Sequence, residues 1–593
     1  MRPRELTLAV TMALLTVMGA FARSASSDEQ VPCDRRLPRN VLAFVSLRNV
    51  TDFKVQWSKT LFGQLERDPA LADFRADVEK QLAEVSQHVE DQIGLSLSEL
   101  VAIPHGEIAA AVVLGQAGKI AVVLFLDFGD HEEAVQKLLS KAADAFENEG
   151  AKRSEEEIED TQVVVYKRAD EDGQKLHETG SYFLKDSFLV TASDHTVLSA
   201  VLSRWDGKHD RVLADNEVYR YIVEKCSDDN SDSRPQLVWF IDPVAAVQAA
   251  IASQPEAAPQ AAMVVGVIPM LGIDKFRGIG GTFDMAQGDF DTVSRTLVYL
   301  DRPAKGVVNM LQFEAGPQAP PKWVSADWSG YTGGNWNVAK AWSAAEGLVD
   351  MFQGPGWLAN YIQGLADNKL LGGLHLKKDL IDQLTGTVHI VEDDGESTGG
   401  SAEGFLVAVD VKNGAAFRTT LGKIVQIGGL KFEEREFQGE TIYEFTMPGG
   451  AAAGGEEDED DDDDESGGGT YGLAVVGQQF LVTSNVRLLE RVLRGGNRET
   501  LAETAEYRNI ARYFPTQTSL ISFSRKDSQL RQIYELLQTG GAGLPTGPLP
   551  EFDFSKLPEL DALKKYMPAS GGFMQNEERG LKFTNFSLRR EAE

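Results

Sequence analysis

Apolar positions along the chain switch repeatedly between strand-like alternation and helical spacing, and each switch marks an element. Leu42 to Leu47 is a short apolar run of strand type. From Thr51 to Ile93 the spacing becomes helical, with Leu82, Val85 and Val89 on one side. Ile108 to Gly115 and Ile120 to Phe128 are parted only by a short Gly-containing turn, the pattern of a β-hairpin. His131 to Glu149 stacks Ala134, Leu138 and Ala142 at helical spacing, and Thr161 to Tyr166 and Tyr182 to Ala192 return to strand character. Adjacent strands joined by short turns and interrupted by helices predict an α+β domain: a largely antiparallel sheet with helices packed on one face.

The same succession occurs twice. Gly94-Leu95-Ser96-Leu97 is echoed by Gly373-Leu374-His375-Leu376, and Val122-Val123-Leu124-Phe125-Leu126-Asp127 by Phe405-Leu406-Val407-Ala408-Val409-Asp410. The run Phe188 to Ser193 returns as Phe480 to Asn485, Leu213 to Arg220 as Leu501 to Arg508, Leu237 to Ile241 as Ser519 to Phe523, and Gly280-Gly281 as Gly571-Gly572. Single apolar runs resemble one another everywhere, but a preserved order at a nearly constant separation is what duplication produces. The sequence thus predicts two tandem homologous domains, 37–315 and 322–593, joined by a linker at 316–321 of composition Gly-Pro-Gln-Ala-Pro-Pro. On this reading, core burial should agree at Phe125 and Ala408 and at Leu189 and Leu481.

The opening Leu37-Pro38-x-x-Val41-Leu42-Ala43-Phe44-Val45-Ser46, the Phe-Leu-Val-Thr strand with its helix, and the Leu-Ala-x-x-x-x-Tyr element at Leu213 to Tyr219 and Leu501 to Tyr507 resemble a bacterial exported family known as a domain of unknown function. The resemblance implies an envelope-side repeat protein and carries no activity, cofactor or catalytic residue with it. The second copy departs from the pattern at its start, where a Trp- and Gly-rich stretch replaces the strand signal of Leu42 to Leu47.

Composition narrows the function classes. With 593 residues, 42% hydrophobic and 25% charged, the chain is a folded multidomain protein. Its formal net charge of -32 opposes docking on phosphate backbones, so nucleic acid is not an expected partner. Arg2 and Arg4 followed by the uncharged run from Leu6 to Ala22, ending in Ala20-Phe21-Ala22, read as a signal peptide over 1–22, with 23–36 as an N-terminal extension. A membrane anchor is the alternative, but the run is at the short edge of the roughly 17–25 residues that a span needs. No transmembrane span is expected after cleavage, and the expected location is the periplasm, the cell envelope or the exterior. That compartment permits a disulfide between the only two cysteines, Cys33 and Cys226; two unrelated thiols are the alternative.

Motifs of catalysis are missing. The histidines, His105, His131 and His195 among them, are scattered singly without zinc spacing, and no nucleophile elbow, phosphate loop or dinucleotide fingerprint occurs. Asp228, Asn230 and Asp232 start like a calcium loop, but Trp239 stands where the last ligand belongs, so a solvated turn is expected. The unbroken acidic stretch Glu456 to Glu465, flanked by glycines, predicts a disordered loop over 449–469. Trp328, Tyr331 and Trp336, within a wider cluster of Trp323, Trp342 and Trp357, are the one candidate surface, with flat aromatic faces to stack on sugar rings or on a partner's apolar side chains. Packing into a core is the competing reading.

The expected function is a non-enzymatic, exported repeat-domain protein that binds an envelope component, protein or polysaccharide, or plays a structural role, without a cofactor or metal. An extracytoplasmic hydrolase with a carboxylate pair is the alternative. Cleavage after Ala22 predicts that exported protein begins at Arg23; N-terminal sequencing that finds Met1 on exported material would overturn the signal assignment.

Overall fold

The computed structural model describes residues 30–589 except 116–117, 170–175, 228–233, 254–264, 368–372, 394–403, 428–430, 447–469, 496–498, 526–533 and 535–552. The expected signal peptide, the acidic stretch Glu456 to Glu465 and the turn Asp228 to Asp232 lie outside the described residues.

Buried and more exposed positions alternate along strands such as Ile108–Leu114 and Ile120–Asp127, while Val41–Leu47 and Phe188–Ala192 are largely buried on both faces and Lys152–Ile158 is exposed on both. In the first half the strands are β1 Val41–Leu47, β2 Ile108–Leu114, β3 Ile120–Asp127, β4 Lys152–Ile158, β5 Thr161–Ala169, β6 Leu176–Lys185, β7 Phe188–Ala192, β8 Leu237–Ile241, β9 Phe276–Gln287 and β10 Phe290–Leu300. The second half adds β11 Gly330–Asn335, β12 Leu384–Asp393, β13 Gly404–Val411, β14 Glu433–Phe437, β15 Glu440–Thr446, β16 Thr470–Val476, β17 Gln479–Thr483, β18 Leu520–Ser524, β19 Ser570–Glu577 and β20 Gly580–Leu588. Every pairing is antiparallel. The first half runs β4-β5-β6-β7-β3-β2-β1-β8-β9-β10. Continuing across the sheet, the second half runs β20-β19-β18-β11-β12-β13-β17-β16-β15-β14. Adding ten to each strand number of the first half reproduces the order of the second, read outward from the centre.

The hydrogen bonds match as well as the strand order. The Ser193 hydroxyl accepts from the Val122 N–H, and the Ser484 hydroxyl accepts from the Phe405 N–H, each at 3.0 Å. The next residues, Asp194 and Asn485, both cap a helix, accepting from the N–H groups of Thr196 and Arg487. Ser193 therefore corresponds to Ser484, and Val190 to Leu481. The apolar runs had suggested a match one residue away, of Ser193 with Asn485 and of Leu189 with Leu481. A one-residue slip exchanges the two faces of a strand, and a run of apolar residues on both faces does not resolve it. Phe125 lies opposite Val190 and Ala408 opposite Leu481, and all four are buried.

β11 takes the place of β1 despite its different sequence. β1 lies between β2 and β8, with Phe44 opposite Ala111 and Phe240; β11 lies between β12 and β18, with Tyr331 opposite Val391 and Phe523. Glycine is needed here for space: a Cβ on Gly333 would lie 2.2 Å from the Tyr331 hydroxyl oxygen.

Helices cover both faces of the sheet, not one. Phe125 and Val190 pack with Val197, Leu198 and Val201 of helix His195–Leu202 and with Tyr219 and Ile222 of helix Glu217–Cys226. Their strand neighbours Leu126 and Leu189 point the other way, onto Val135 and Leu139 of helix Glu132–Asn148. The second half repeats the division: Leu481 packs with Leu488 and Ile510, and Phe480 packs with Phe417 and Leu421.

The halves join through β10 and β20. Val293 faces Phe586 and Leu297 faces Lys582, while Leu297 lies opposite Gly280 as Phe586 lies opposite Gly571. Corresponding strands thus pair with each other about a local pseudo-two-fold, as in the self-complementary interface of a symmetric dimer. Further bonds reach across: Lys225 to Glu577 at 3.2 Å, Lys556 to Asp77 at 2.5 Å and the Tyr566 hydroxyl to Asp68 at 2.5 Å.

One buried ion network of the first half has no charged counterpart at the matched positions of the second. Arg48 bridges Asp34 at 2.7 Å and Glu107 at 3.2 Å; Glu107 also accepts from Ser46 and from the Cys33 N–H, and Asp34 accepts from the Tyr219 hydroxyl. Two carboxylates around it outweigh the burial that disfavours charge, so Arg48 is held firmly protonated. Leu47 pairs with Ile108 as Gly334 pairs with Val388, which puts Asn335 and Thr387 in the places of Arg48 and Glu107. There a neutral bond, Thr387 hydroxyl to Asn335 at 3.3 Å, replaces the ions. Arg48→Met leaves two carboxylates uncompensated and is expected to cost about 3–5 kcal/mol. Thr387→Ala should cost no more than about 1 kcal/mol. Denaturant midpoints of the two variants measure the difference; equal midpoints would show that the ions contribute nothing.

Candidate functional site

Trp328 and Tyr331 do not form an aromatic binding surface. Both belong to the second core, at 1% and 2% exposure, because Tyr331 fills the inward position that Phe44 fills in the first half and Trp328 packs beside it, edge-on to Trp323. The Tyr331 hydroxyl donates to the Ala319 carbonyl at 3.2 Å and lies 3.0 Å from Nδ1 of His389. Trp336 is exposed, with its indole N–H donating to the Met310 carbonyl at 2.9 Å. The other exposed aromatics of this region are Phe352, Trp357 and Tyr361, on the helices Val338–Gln353 and Trp357–Asp367.

Cys33 and Cys226 are free thiols, both buried in the first core. Burial pushes both thiols up, Cys226 to about 12. The charges acting on them differ: Glu107, Arg36 and Arg48 for Cys33, and Lys582, Arg295 and Glu577 for Cys226. They thus sit in separate electrostatic surroundings. The one carboxylate pair of the network above, Asp34 and Glu107, is bridged by Arg48 and offers no free acid and base.

A pocket of about 510 Å³ opens at one end of the central strands. Each wall comes from the end of an element. Arg39 and Asn40 precede β1, Arg204 follows the helix His195–Leu202, Arg211 sits in the next loop, and Asn216 caps the helix Glu217–Cys226. Asp242 follows β8 and caps the helix Pro243–Ala252, Arg277 begins β9, Asp301 follows β10, and Arg579 comes from the turn between β19 and β20. Phe240 and Val218 supply apolar surface. The pocket is therefore closed by a residue of the other half.

Five arginines here meet three acids, Glu217, Asp242 and Asp301, in a chain whose net charge is -32. Two of the arginines are engaged: Arg277 pairs with Asp301 at 3.3 Å, and Arg579 pairs with Glu217 and donates to the Tyr299 hydroxyl at 2.6 Å. Arg204 donates one N–H to the Ala200 carbonyl, its Nε is buried without a partner among the described residues, and burial lowers its affinity for its proton. Arg39 and Arg211 are exposed and their guanidinium groups have no partner among the described residues. Arg211 also holds a left-handed backbone, φ 68°, which costs of the order of 1 kcal/mol for a residue with a Cβ. Burial raises the Asp242 carboxyl, while the Ala245 N–H that it caps acts the other way.

The matching end of the second half is built with the same backbone bonds and with the charge reversed at three of four positions and lost at the fourth. The Arg39 N–H donates to the Arg211 carbonyl at 3.1 Å, as the Ala326 N–H donates to Glu499 at 3.0 Å. Asp242 donates to Leu42 as Arg525 donates to Ser329, each at 2.8 Å, and Arg579 accepts from Leu300 as Asp289 accepts from Arg589. Arg39, Arg211, Asp242 and Arg579 thus correspond to Ala326, Glu499, Arg525 and Asp289. The same backbone bonds form with either set of side chains at these four positions. None of them stood out in the sequence, because they are spread from residue 39 to residue 579; comparing charges at matched repeat positions is the signal that finds them.

No protein-family model, no curated protein and no solved structure matches the chain. No helix among the described residues is long and apolar enough to cross a membrane.

Burial holds the His389 imidazole below its ordinary value, with Asp410 opposing. The unfolded chain, where histidine titrates near about 6.5, then takes up a proton more readily than the folded one. Stability from this group is present above that pH and is lost as the pH falls through it. Thermal unfolding is expected at lower temperature at pH 5 than at pH 7, with a smaller difference in His389→Gln; equal slopes in the two proteins would remove His389 as the cause.

Proposed function

We propose that the protein acts outside the cytoplasm as a non-catalytic binding protein, and that the arginine-lined pocket receives a compact anionic group, carboxylate or phosphate, of an envelope component. The observation that carries this reading is the pair of unpartnered guanidinium groups on Arg39 and Arg211 at the mouth of a pocket of about 510 Å³, where the matching positions of the second half are Ala326 and Glu499. Guanidinium presents a planar fork of donors that fits carboxylate and phosphate oxygens two at a time. Val218, half-buried at the pocket wall over the buried Phe240, gives the uncharged part of a ligand a place to rest. An acidic polysaccharide, with a carboxylate on a sugar ring, has this combination of charge and apolar ring face.

Export is supported by Arg2, Arg4 and the uncharged run to Ala22. The matched strand order and bonds support reading the halves as copies of one domain, the first of which became the binding end.

Calorimetric titration of the protein with oligogalacturonate and, separately, with inorganic phosphate tests the proposal. We expect binding that weakens steeply with salt and falls about tenfold or more for each of Arg39→Ala and Arg211→Ala, the loss that follows from removing a charged hydrogen bond. Failure of both probes to bind, or undiminished binding by the double variant, would refute it.

A further inference from the structure

We infer that His105, Asp130 and His131 form a site for one divalent transition cation of the zinc class. One ligand atom from each residue lies within 4.8 Å of those of the other two. Two imidazoles and one carboxylate are a recurrent donor set for zinc and related ions, and they leave positions open for water. In a tetrahedral zinc site neighbouring donors stand about 3.3 Å apart, given metal bonds of about 2.0–2.1 Å. Closing on an ion therefore needs movements of roughly an ångström, within reach of side-chain torsions.

The backbone holds the two histidines together in advance. Asp127, buried at the end of β3, accepts the His105 N–H on its carbonyl at 2.8 Å and the Gly129 N–H on its carboxylate at 3.0 Å. The same carboxylate takes the Ser187 hydroxyl at 2.9 Å, so one residue anchors both segments of the site. The His105 carbonyl is held from the other side by the Thr51 hydroxyl at 2.9 Å. His131 is oriented by its Nδ1, 3.1 Å from the Phe128 carbonyl, the kind of outer contact that aims metal-binding imidazoles. Gly129 completes the cradle. Its φ is +55°, and a Cβ there would lie 2.9 Å from Cγ of His105, so only glycine lets that ring rest against the backbone leading to Asp130 and His131. The ring centroids stand 6.3 Å apart, tilted by 46°.

With Nδ1 of His131 turned to the Phe128 carbonyl, its Nε2 is the nitrogen left for an ion. The His105 ring has no hydrogen-bond partner among the described residues, and the Asp130 side chain is 92% exposed, its carboxylate 3.6 Å from Nδ1 of His131. A second grouping, Glu178, Asp194 and His195, is consumed internally. Glu178 takes both the ring nitrogen of His195 at 2.7 Å and its backbone N–H at 2.6 Å, and Asp194 takes the N–H and hydroxyl of Thr196. That group caps a helix and serves as the control.

The test is a titration of the whole mature chain with zinc chloride by calorimetry, and with cobalt chloride followed by visible absorption. A single saturable zinc site and the intense cobalt bands of low-coordinate geometry are expected. His105→Ala and His131→Ala should each weaken binding by at least the roughly ten- to hundredfold that loss of even an outer partner costs, and His195→Ala should leave it unchanged. Asp130→Asn alters a fully solvated side chain and so reports on the site without threatening the fold; it too should weaken binding. No saturable site, retention of the site in the His105→Ala, His131→Ala double variant, or its loss in His195→Ala would overturn the assignment. Undiminished binding in Asp130→Asn would do so as well.

Discussion

Antiparallel pairing of β10 with β20 is the contact on which the remaining architecture depends. Without it each half would end in a long strand carrying Phe290, Val293, Leu297 and Tyr299, or Leu581, Phe583 and Phe586, with an open row of backbone donors and acceptors. Such an edge invites pairing with other chains. Joining the two satisfies both and makes one sheet whose outer edges are β4 and β14. Those strands read Lys-Arg-Ser-Glu-Glu-Glu-Ile and Glu-Glu-Arg-Glu-Phe, charged and exposed, so a further strand meets like charges and well-hydrated side chains.

The pairing also sets where the pocket forms. It brings the turn between β19 and β20 to the end of the first half, and Arg579 from that turn closes the pocket against Glu217 and Tyr299. At the opposite end the corresponding turn delivers Asp289, which takes the Tyr513 hydroxyl at 2.6 Å. Equal backbones thus present unequal chemistry, a cationic pocket at one end and a closed aromatic contact at the other. One backbone arrangement thus tolerates different side-chain chemistry at its two ends.

The interior shows the same separation. Arg48, Asp34 and Glu107 tie the N-terminal segment to β1 and β2 with ions, while Asn335 and Thr387 serve the matching point without charge. Buried ions gain little net energy when complete and cost heavily when broken. The first half therefore gains a firmly specified geometry for the segment that leads directly into Arg39 and Asn40.

The sequence by itself determined most element types, the antiparallel class and the order in which elements recur, because alternation and helical spacing are local; the charged β4 and the glycine-rich β11 carry no such pattern and are strands through their neighbours. Register was decided only in the folded chain: Ser193 matches Ser484 through a hydroxyl bond to a strand distant in sequence, which no apolar run records. Whether Trp328 and Tyr331 face solvent or core was likewise settled by the strands beside β11, since an aromatic side chain suits both settings. The pocket arginines and the His105, Asp130 and His131 group share this origin. Their members are ordinary when read along the chain, and they gain meaning from long-range backbone pairing, which brings together residues whose spacing in sequence carries no chemical pattern.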